Sequence, residues 1–199
     1  MKAIILSVLM CYFLLGNNAQ AQHKVAYFGS GCFWCVEYIF EQVVGVDSVV
    51  SGYAGGTKED ANYSLVSRGL TDHAETVAIY YDADKINYSK LIEIFFYSHD
   101  PTTKYQQGPD KGRQYRSVIF YQDEKEKQIA NQHIQRLIFG KIYPKITTEV
   151  VKFNGFYPAE SYHQNFKINN PNHPYILNVS VPRYNQFKKK MPETIKDNK

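Results

Sequence analysis

The chain has 199 residues, of which 44% are hydrophobic, and a formal net charge of +4 at pH 7. This length is typical of one domain with a full hydrophobic core. The basic excess is small and dispersed along the chain, which argues against a protein that binds nucleic acid through a basic patch.

Residues 1–21 predict a secretory signal peptide. Lys2 precedes an apolar run over residues 3–15, and the segment ends in Ala19-Gln20-Ala21. A single positive charge, a short apolar core and a small-X-small ending are typical of a cleavable signal. A membrane span needs about 20 apolar residues, and this run is shorter. We expect cleavage near Ala21, export to a periplasm or the medium, and no stable membrane association; lipidation of Cys11 is the weaker alternative.

The mature chain, residues 22–199, is expected to form a single domain that begins with a strand, a tight turn and a helix. An apolar run over residues 24–28 leads through Gly29-Ser30-Gly31 into Cys32, two aromatic residues and Cys35. Glycine permits the sharp turn. We expect Cys32 in the first helical turn, where unpaired N–H groups and the helix dipole lower the pKa of a thiol.

These two cysteines are the only ones that remain after removal of the signal peptide. A Cys-X-X-Cys pair at a strand-to-helix turn indicates redox chemistry. The alternative is a structural disulfide in an oxidising compartment. So short a loop restricts the unfolded chain little, and a redox role is therefore favoured.

After this turn the chain alternates helix and strand patterns. Helices are predicted over residues 36–44, from Asn87 or Ser89 to Tyr97 and from Asp123 to Phe139, and strands over 46–54, 74–81, 116–121 and 147–153. Polar loops are predicted over residues 57–70 and 102–114, and no strong periodicity follows Phe156. The order β-α-β-β-α-β resembles the split β-α-β arrangement. We therefore expect an α/β (α+β) two-layer plait with a ferredoxin-like core and a long irregular C-terminal tail.

A series of short motifs extends over residues 24–166. They are Gly31-Cys32-Phe33-Trp34-Cys35-Val36-Glu37, Gly52-Tyr53-Ala54-Gly55-Gly56, Tyr63-Ser64-Leu65-Val66, His73-Ala74-Glu75, His99-Asp100-Pro101-Thr102, Gln107-Gly108-Pro109-Asp110, Gln114-Tyr115-Arg116-Ser117, Phe156-Tyr157-Pro158-Ala159-Glu160 and Tyr162-His163-Gln164. In this order they resemble the motifs of the type A peptide methionine sulfoxide reductases.

The resemblance implies a mixed sheet and an enzyme that repairs oxidised proteins. Its expected reaction is the reduction of the S epimer of methionine sulfoxide, free or in proteins. The resemblance implies no metal and no bound organic cofactor, and it implies that a thioredoxin-like protein or a small thiol supplies the electrons. We also expect a monomer.

The resemblance also assigns the catalytic residues. Cys32, as a thiolate, attacks the sulfoxide sulfur and becomes a sulfenic acid while methionine departs. Glu75 is the acid for the sulfoxide oxygen, which requires burial to raise its pKa from an ordinary value of about 4.3. The hydroxyls of Tyr63 and Tyr115 hold that oxygen, and Asp110 supports the site from the long loop.

Phe33 and Trp34 are expected to form the pocket for the S-methyl group, because aromatic faces suit an apolar methyl and a polarizable sulfur. The alternative for both is ordinary core packing. Cys35 stands where the family often has glycine, and no cysteine follows it. Either Cys35 resolves the sulfenic acid or the enzyme works with one cysteine. We expect a Cys32–Cys35 disulfide, which the reductant opens by exchange.

Two other functions remain open from the sequence. A thioredoxin-like disulfide exchanger shares the Cys-X-X-Cys pair at a strand-to-helix turn but gives no role to Glu75. A secreted module whose two cysteines stay bonded would bind oxidised methionine without turnover. A zinc site that joins the cysteines to His73, His99 and His163 is disfavoured, because the histidines lack ligand-pair spacing.

Overall fold

The structure is a computed structural model, and it describes residues 23–197. The predicted signal peptide and its cleavage at Ala21 lie outside the described residues. Within the described part of the chain, no helix is long and apolar enough to cross a membrane.

A mixed sheet with helices packed against it forms the fold. The strands are β1 (His23–Ser30), β2 (Val46–Ala54), β3 (Ala74–Asp82), β4 (Gln106–Gln107), β5 (Asp110–Lys111), β6 (Ser117–Tyr121), β7 (Glu149–Lys152) and β8 (Phe156–Pro158). The helices are α1 (Phe33–Glu41), α2 (Tyr63–Val66), α3 (Tyr88–Tyr97), α4 (Glu124–Phe139), α5 (Phe166–Asn169) and α6 (Val181–Lys190).

The main sheet has six strands in the order β7-β6-β1-β3-β2-β8, and β4 pairs with β5 in a separate hairpin. Neighbouring strands of the main sheet run antiparallel, except for the parallel pair β6–β7. The expected mixed α/β architecture is confirmed.

The core lies between the sheet and two of the predicted helices. Phe28 of β1 is fully buried, and its ring centroid lies 5.8 Å from that of Phe40 in α1 and 5.1 Å from that of Phe95 in α3. One strand residue contacts both helices, so α1 and α3 cover the same face of the sheet. Burial of a side chain of this size contributes about 1.5–3 kcal/mol to the stability of the fold. This packing fixes the position of α1, the helix that begins at the cysteine pair.

The predicted starts of α3 and α4 are confirmed by their caps. Asn87 Oδ1 accepts a hydrogen bond from Lys90 N at 2.9 Å, and Asp123 Oδ1 accepts one from Glu126 N at 2.8 Å. Each cap satisfies an N–H group that has no partner inside the helix, which typically contributes about 1 kcal/mol. Helix α4 ends at Gly140, as predicted.

The prediction of a long irregular C-terminal tail is wrong for much of the segment. β8 pairs with β2, and a π-helical turn over Ile176–Ser180 continues into α6, which packs against α1. Tyr184 and Phe187 of α6 are buried, while most of its other residues are polar or basic. With only these two buried residues the segment is hydrophilic overall, so its sequence does not stand out as part of the core. Pro182 argues against a helix in sequence, yet proline is tolerated in a first helical turn.

Two predicted loops contain short hydrogen-bonded elements. The loop over residues 57–70 contains α2, and the loop over 102–114 contains the β4–β5 hairpin and a 3-10 turn over Arg113–Tyr115. These elements carry three of the candidate site residues, which are Tyr63, Asp110 and Tyr115.

Candidate active site

The turn between β1 and α1 places the first cysteine at the start of the helix. Gly31 has φ of +92°, a conformation that favours glycine, and a Cβ at this position would lie 2.6 Å from Gln107 Cβ. Cys32 follows as the N-cap of α1, one position before the first helical turn in which it was expected. Its carbonyl accepts a hydrogen bond from Cys35 N at 3.1 Å. The two cysteines therefore lie one helical turn apart.

Both cysteines are free thiols, and both are buried. The residue exposures are 7% for Cys32 and 2% for Cys35. Cys35 Sγ lies 2.9 Å from Ser180 Oγ and 3.9 Å from the hydroxyl of Tyr175. The C-terminal segment therefore covers the second cysteine, a contact that the sequence did not predict.

The electrostatics of the pair differ from the expectation of a Cys32 thiolate. Burial raises the pKa of Cys32 well above its usual value, and the hydrogen bond to Cys35 and the charge of Glu75 act in the same direction. The pKa of Cys35 is lowered to about 6, first because it accepts a hydrogen bond from Cys32. The positive charge of Arg183 and the hydroxyl of Ser180 favour the same thiolate. The directions of the two shifts favour the negative charge of the pair on Cys35 rather than on Cys32.

The physical reason for this correction is desolvation. The partial positive charge at a helix N-terminus stabilises a thiolate and lowers its pKa. Burial of the sulfur away from water disfavours the thiolate and raises the pKa. The charges of two acidic side chains, Glu75 and Asp110, also raise the pKa of Cys32. Burial and like charge together outweigh the helix dipole at Cys32.

Glu75 is a buried carboxylic acid beside the first helical turn. It lies on β3 with a residue exposure of 2%, and its Oε2 accepts a hydrogen bond from Phe33 N at 3.0 Å. Burial raises the pKa of Glu75 to about 8, with a further contribution from Asp110 and an opposing one from the Phe33 N–H group. At neutral pH the carboxyl therefore holds a proton next to the residue that follows Cys32.

Two tyrosines come together near this acid. Tyr63 begins α2, and its N–H donates to Glu160 Oε1 at 2.9 Å. Burial raises the pKa of Tyr63 to about 12, and the charges of Glu75 and Cys32 add to the effect. Tyr115 has a raised pKa from burial and then from the same two groups. Both phenols therefore remain protonated donors in the neighbourhood of Cys32.

Asp110 reaches the site from the β4–β5 hairpin. Its Oδ2 accepts a hydrogen bond from the Tyr175 hydroxyl at 2.5 Å. Burial raises the pKa of Asp110, whereas this hydrogen bond and the charge of Arg183 oppose the increase. Asp110 thus joins the hairpin to the segment that covers Cys35.

The two aromatic residues after Cys32 point to different neighbours. Phe33 is buried, with its ring centroid 5.0 Å from that of His163. Trp34 is half-buried and stacks on Phe166 with a centroid distance of 3.6 Å, and its Nε1 donates to His163 Nδ1 at 3.0 Å. Phe33 therefore packs inward while Trp34 anchors the C-terminal segment. Their role as a methyl pocket stays a prediction.

The three histidines of the zinc alternative have separate hydrogen-bond partners. His99 lies 2.7 Å from both Phe95 O and Ser117 Oγ, and His73 lies 2.8 Å from Thr57 O. Within residues 23–197 there is no group of three or more His, Cys, Asp or Glu side chains that could hold a metal ion.

Arg183 is a further site residue that the sequence did not indicate. From α6, its Nε donates to Ser98 O at 2.8 Å, and one of its terminal nitrogens donates to Ser30 Oγ at 3.2 Å. Ser30 lies two positions before Cys32, so this side chain ties α6 to the turn. Tyr175, Ser180 and Arg183 lie far from Cys35 in sequence, and no local pattern identifies them.

The fold and site together define a thiol-dependent oxidoreductase class, with a buried cysteine pair, a protonated carboxyl and phenolic donors around one sulfur. Residues 24–195 match the sequence model of the family described as peptide methionine sulfoxide reductase. Peptide methionine sulfoxide reductase MsrA 2 of Synechocystis is 46% identical over 184 residues, which cover 92% of this chain and 86% of that relative.

Two solved structures are similar to the chain. Reduced Mxr1 from Saccharomyces cerevisiae is 33% identical with a TM-score of 0.70, over 76% of this chain and 87% of that one. Mxr1 in complex with Trx2 resembles the chain in fold, with 24% identity and a TM-score of 0.50 over 72% and 84% of the two chains. The chain belongs to the peptide methionine sulfoxide reductase family, and it is an enzyme of that class.

Proposed function

We propose that this enzyme reduces the S epimer of methionine sulfoxide, free or in proteins, with Cys32 as the nucleophile and Cys35 as the resolving thiol. The observation that carries the proposal is the protonated carboxyl of Glu75, whose pKa is raised to about 8, beside the helix start that holds Cys32. A sulfoxide needs an attacking sulfur and an acid for its oxygen, and these two groups supply both.

In the proposed first step, the proton of Cys32 passes to the Cys35 thiolate while the Cys32 sulfur attacks the sulfoxide sulfur. Glu75 protonates the sulfoxide oxygen, and the hydroxyls of Tyr63 and Tyr115 donate hydrogen bonds to it. The sulfur–oxygen bond of the substrate breaks, methionine departs, and Cys32 becomes a sulfenic acid. The substrate gains two electrons, and Cys32 loses them.

In the proposed second step, Cys35 attacks the sulfenic sulfur of Cys32. The oxygen leaves as water with two protons, one of them from the Cys35 thiol, and a Cys32–Cys35 disulfide forms. Cys35 lies one helical turn from Cys32, which supports bond formation after a small local adjustment. A thioredoxin-like protein or a small thiol then reduces the disulfide. The complex of the related Mxr1 with Trx2 supports a reductant of this class.

This reaction needs no metal or bound organic cofactor, because two thiols supply both electrons. Phe33 and Trp34 are proposed to contact the S-methyl group, and Asp110 is proposed to hold the loop that carries the site. The antiparallel strands β6, β1, β3 and β2, with α1 and α3 between them in sequence, support the finer interpretation as a two-layer plait of split β-α-β units. We also propose that the single domain over residues 22–199 acts as a monomer.

Turnover of the separated epimers tests this function. With dithiothreitol as reductant, the enzyme should release methionine from the S epimer and not from the R epimer, and Cys32→Ser should release none. Disulfide exchange without methionine release would favour the thioredoxin-like alternative. Binding of the sulfoxide without turnover by the reduced enzyme would favour the binding module.

Export after cleavage at Ala21 remains part of the proposal. It is supported by the charge, the apolar run and the small-X-small ending of residues 1–21. Intact-mass analysis of the protein from an expressing cell should find a chain that begins at Gln22. A retained N-terminal segment, or lipid on Cys11, would refute the cleaved signal.

A further inference from the structure

Cys35 is covered by a segment of the chain that lies far from it in sequence. Ser180 Oγ is 2.9 Å from Cys35 Sγ, and the residue exposures are 2% for both. The hydroxyl of Tyr175 is 3.9 Å from the same sulfur, but its single proton is donated to Asp110. Ser180 is therefore the neighbouring hydroxyl whose proton is available to Cys35.

Cys32 has different surroundings, because they must admit a substrate. Glu75, Tyr63 and Tyr115 lie near enough to Cys32 to interact with it electrostatically. Whatever path brings the sulfur of a methionine sulfoxide to Cys32 can also bring the sulfur of another protein's cysteine. No such requirement applies to Cys35, which needs to reach only Cys32.

We propose that the reductant attacks Cys32 of the Cys32–Cys35 disulfide, and that Cys35 leaves as a thiolate that accepts a hydrogen bond from Ser180. The inference rests on the disulfide of the proposed function. The donor's thiolate bonds to Cys32 Sγ, the Cys32–Cys35 bond breaks, and its electron pair goes to Cys35 Sγ. The donor's second thiol then attacks the mixed disulfide, so that Cys32 returns as a thiol and the donor becomes a disulfide.

The chemistry of thiol–disulfide exchange supports this direction. The sulfur that leaves faster is the one whose thiolate is better stabilised. In the reduced enzyme the hydrogen bond from Cys32 is the first cause of the lowered pKa of Cys35. In the mixed disulfide Cys32 has no proton to donate, so the charge of Arg183 and the hydroxyl of Ser180 are the groups that remain to stabilise the Cys35 thiolate. Arg183 donates hydrogen bonds to Ser30 and Ser98, which hold its charge near the pair.

A trapped mixed disulfide tests which sulfur is attacked. The oxidised enzyme is first shown by mass to contain the Cys32–Cys35 bond, since its absence would refute the proposed function rather than this inference. A thioredoxin-like donor whose second active-site cysteine is replaced by serine is then added, and samples are quenched in acid. Both cysteines lie on one tryptic peptide, residues 25–58, so fragment-ion sequencing must separate them. The earliest linkage should be to Cys32, and an earliest linkage to Cys35 would overturn the inference.

Ser180→Ala tests the leaving group. Loss of a hydrogen bond to a charged sulfur should slow reduction of the preformed disulfide about 10-fold. In a Cys32→Ser background, the midpoint for alkylation of Cys35 by iodoacetamide should move to higher pH by about one unit when Ser180→Ala is added. Asn178→Ala, an exposed position on the same turn, is the matched control. An unchanged alkylation midpoint would refute the role of Ser180. A slower reduction of the disulfide with an unchanged midpoint would mean that Ser180→Ala acts only by disturbing the structure.

Discussion

Glu75 combines three properties that a general acid needs. It is buried, its pKa is raised to about 8, and it lies beside the backbone N–H group that follows Cys32. A surface glutamate would be ionised at neutral pH and could not donate a proton. The burial of this one side chain therefore decides whether the acid is available.

Replacement of this acid should depend on pH in a defined direction. Glu75→Gln should slow methionine release in a single turnover by about 10²–10⁴-fold at pH 7, because the amide cannot transfer a carboxylic proton. The deficit relative to the unmodified enzyme should shrink as pH rises above about 8, where Glu75 itself loses its proton. Rapid-quench measurement of methionine across this range checks the prediction, with the exposed Glu59→Gln as control. A deficit that does not change with pH would exclude Glu75 as the acid.

Glu75 should also lower the free energy of unfolding near neutral pH. Its pKa in the folded state is raised from 4.5 to about 8, so the folded carboxyl keeps a proton that the unfolded carboxyl loses. The stabilisation that this bound proton gives to the folded state is complete below pH 4.5 and is lost progressively as pH rises toward 8. Glu75→Gln removes this loss. The change that it makes in the free energy of unfolding should therefore be more favourable at pH 7 than at pH 4, by about 1–3 kcal/mol. Urea unfolding at several pH values measures this difference, and a gain independent of pH would contradict it.

At the scale of elements, the site depends on the turn between β1 and α1 and on the segment that covers it. Gly31 gives the turn its shape, and Arg183 of α6 donates to Ser30 in the same turn. Trp34, in the first turn of α1, stacks on Phe166 of α5. The C-terminal segment is therefore a structural part of the site, and it fixes the environment of Cys35.

Two glycines with positive φ provide a matched test of this turn. Gly31→Ala must place a Cβ 2.6 Å from Gln107 Cβ at φ of +92°, whereas Gly108→Ala at φ of +55° meets open space. The left-handed conformation alone costs about 1–2 kcal/mol, and the overlap at Gly31 adds about 1–3 kcal/mol. Chemical denaturation should find Gly31→Ala the less stable variant by this added amount. Equal stabilities would mean that the turn can relax without cost.

At the scale of the whole molecule, local patterns predicted five of the six strands of the main sheet and the helices α1, α3 and α4, but not β8. Periodicity and caps placed α3 and α4 correctly, because Asn87 and Asp123 act on N–H groups only a few residues away. The resemblance to a known family pointed to Glu75, Tyr63, Tyr115 and Asp110, which the structure brings close to Cys32.

What the sequence could not predict depends on distant contacts. Helix α6 is hydrophilic overall and carries a proline in its first turn, so the sequence did not indicate it. Ser180 and Arg183 reach the cysteines and their turn because α6 and the π-helical turn before it pack on α1. The sequence predicts a lowered pKa for Cys32, whereas the pKa is raised in the structure, for the same reason. The helix start is a local property of the chain, but burial belongs to the complete fold.

In the proposed mechanism Cys32 takes the substrate oxygen and Cys35 resolves the sulfenic acid, and intact-mass analysis of a single turnover tests this most directly. Reduced enzyme is mixed with one equivalent of methionine S-sulfoxide. The unmodified chain should release one methionine and become about 2 Da lighter as the disulfide forms. Cys35→Ser should release the same amount and become about 16 Da heavier, and a dimedone-type reagent added to a parallel sample should label Cys32, which identifies the sulfenic acid. Methionine release with no change in mass, or an oxygen adduct on any other residue, would contradict the account.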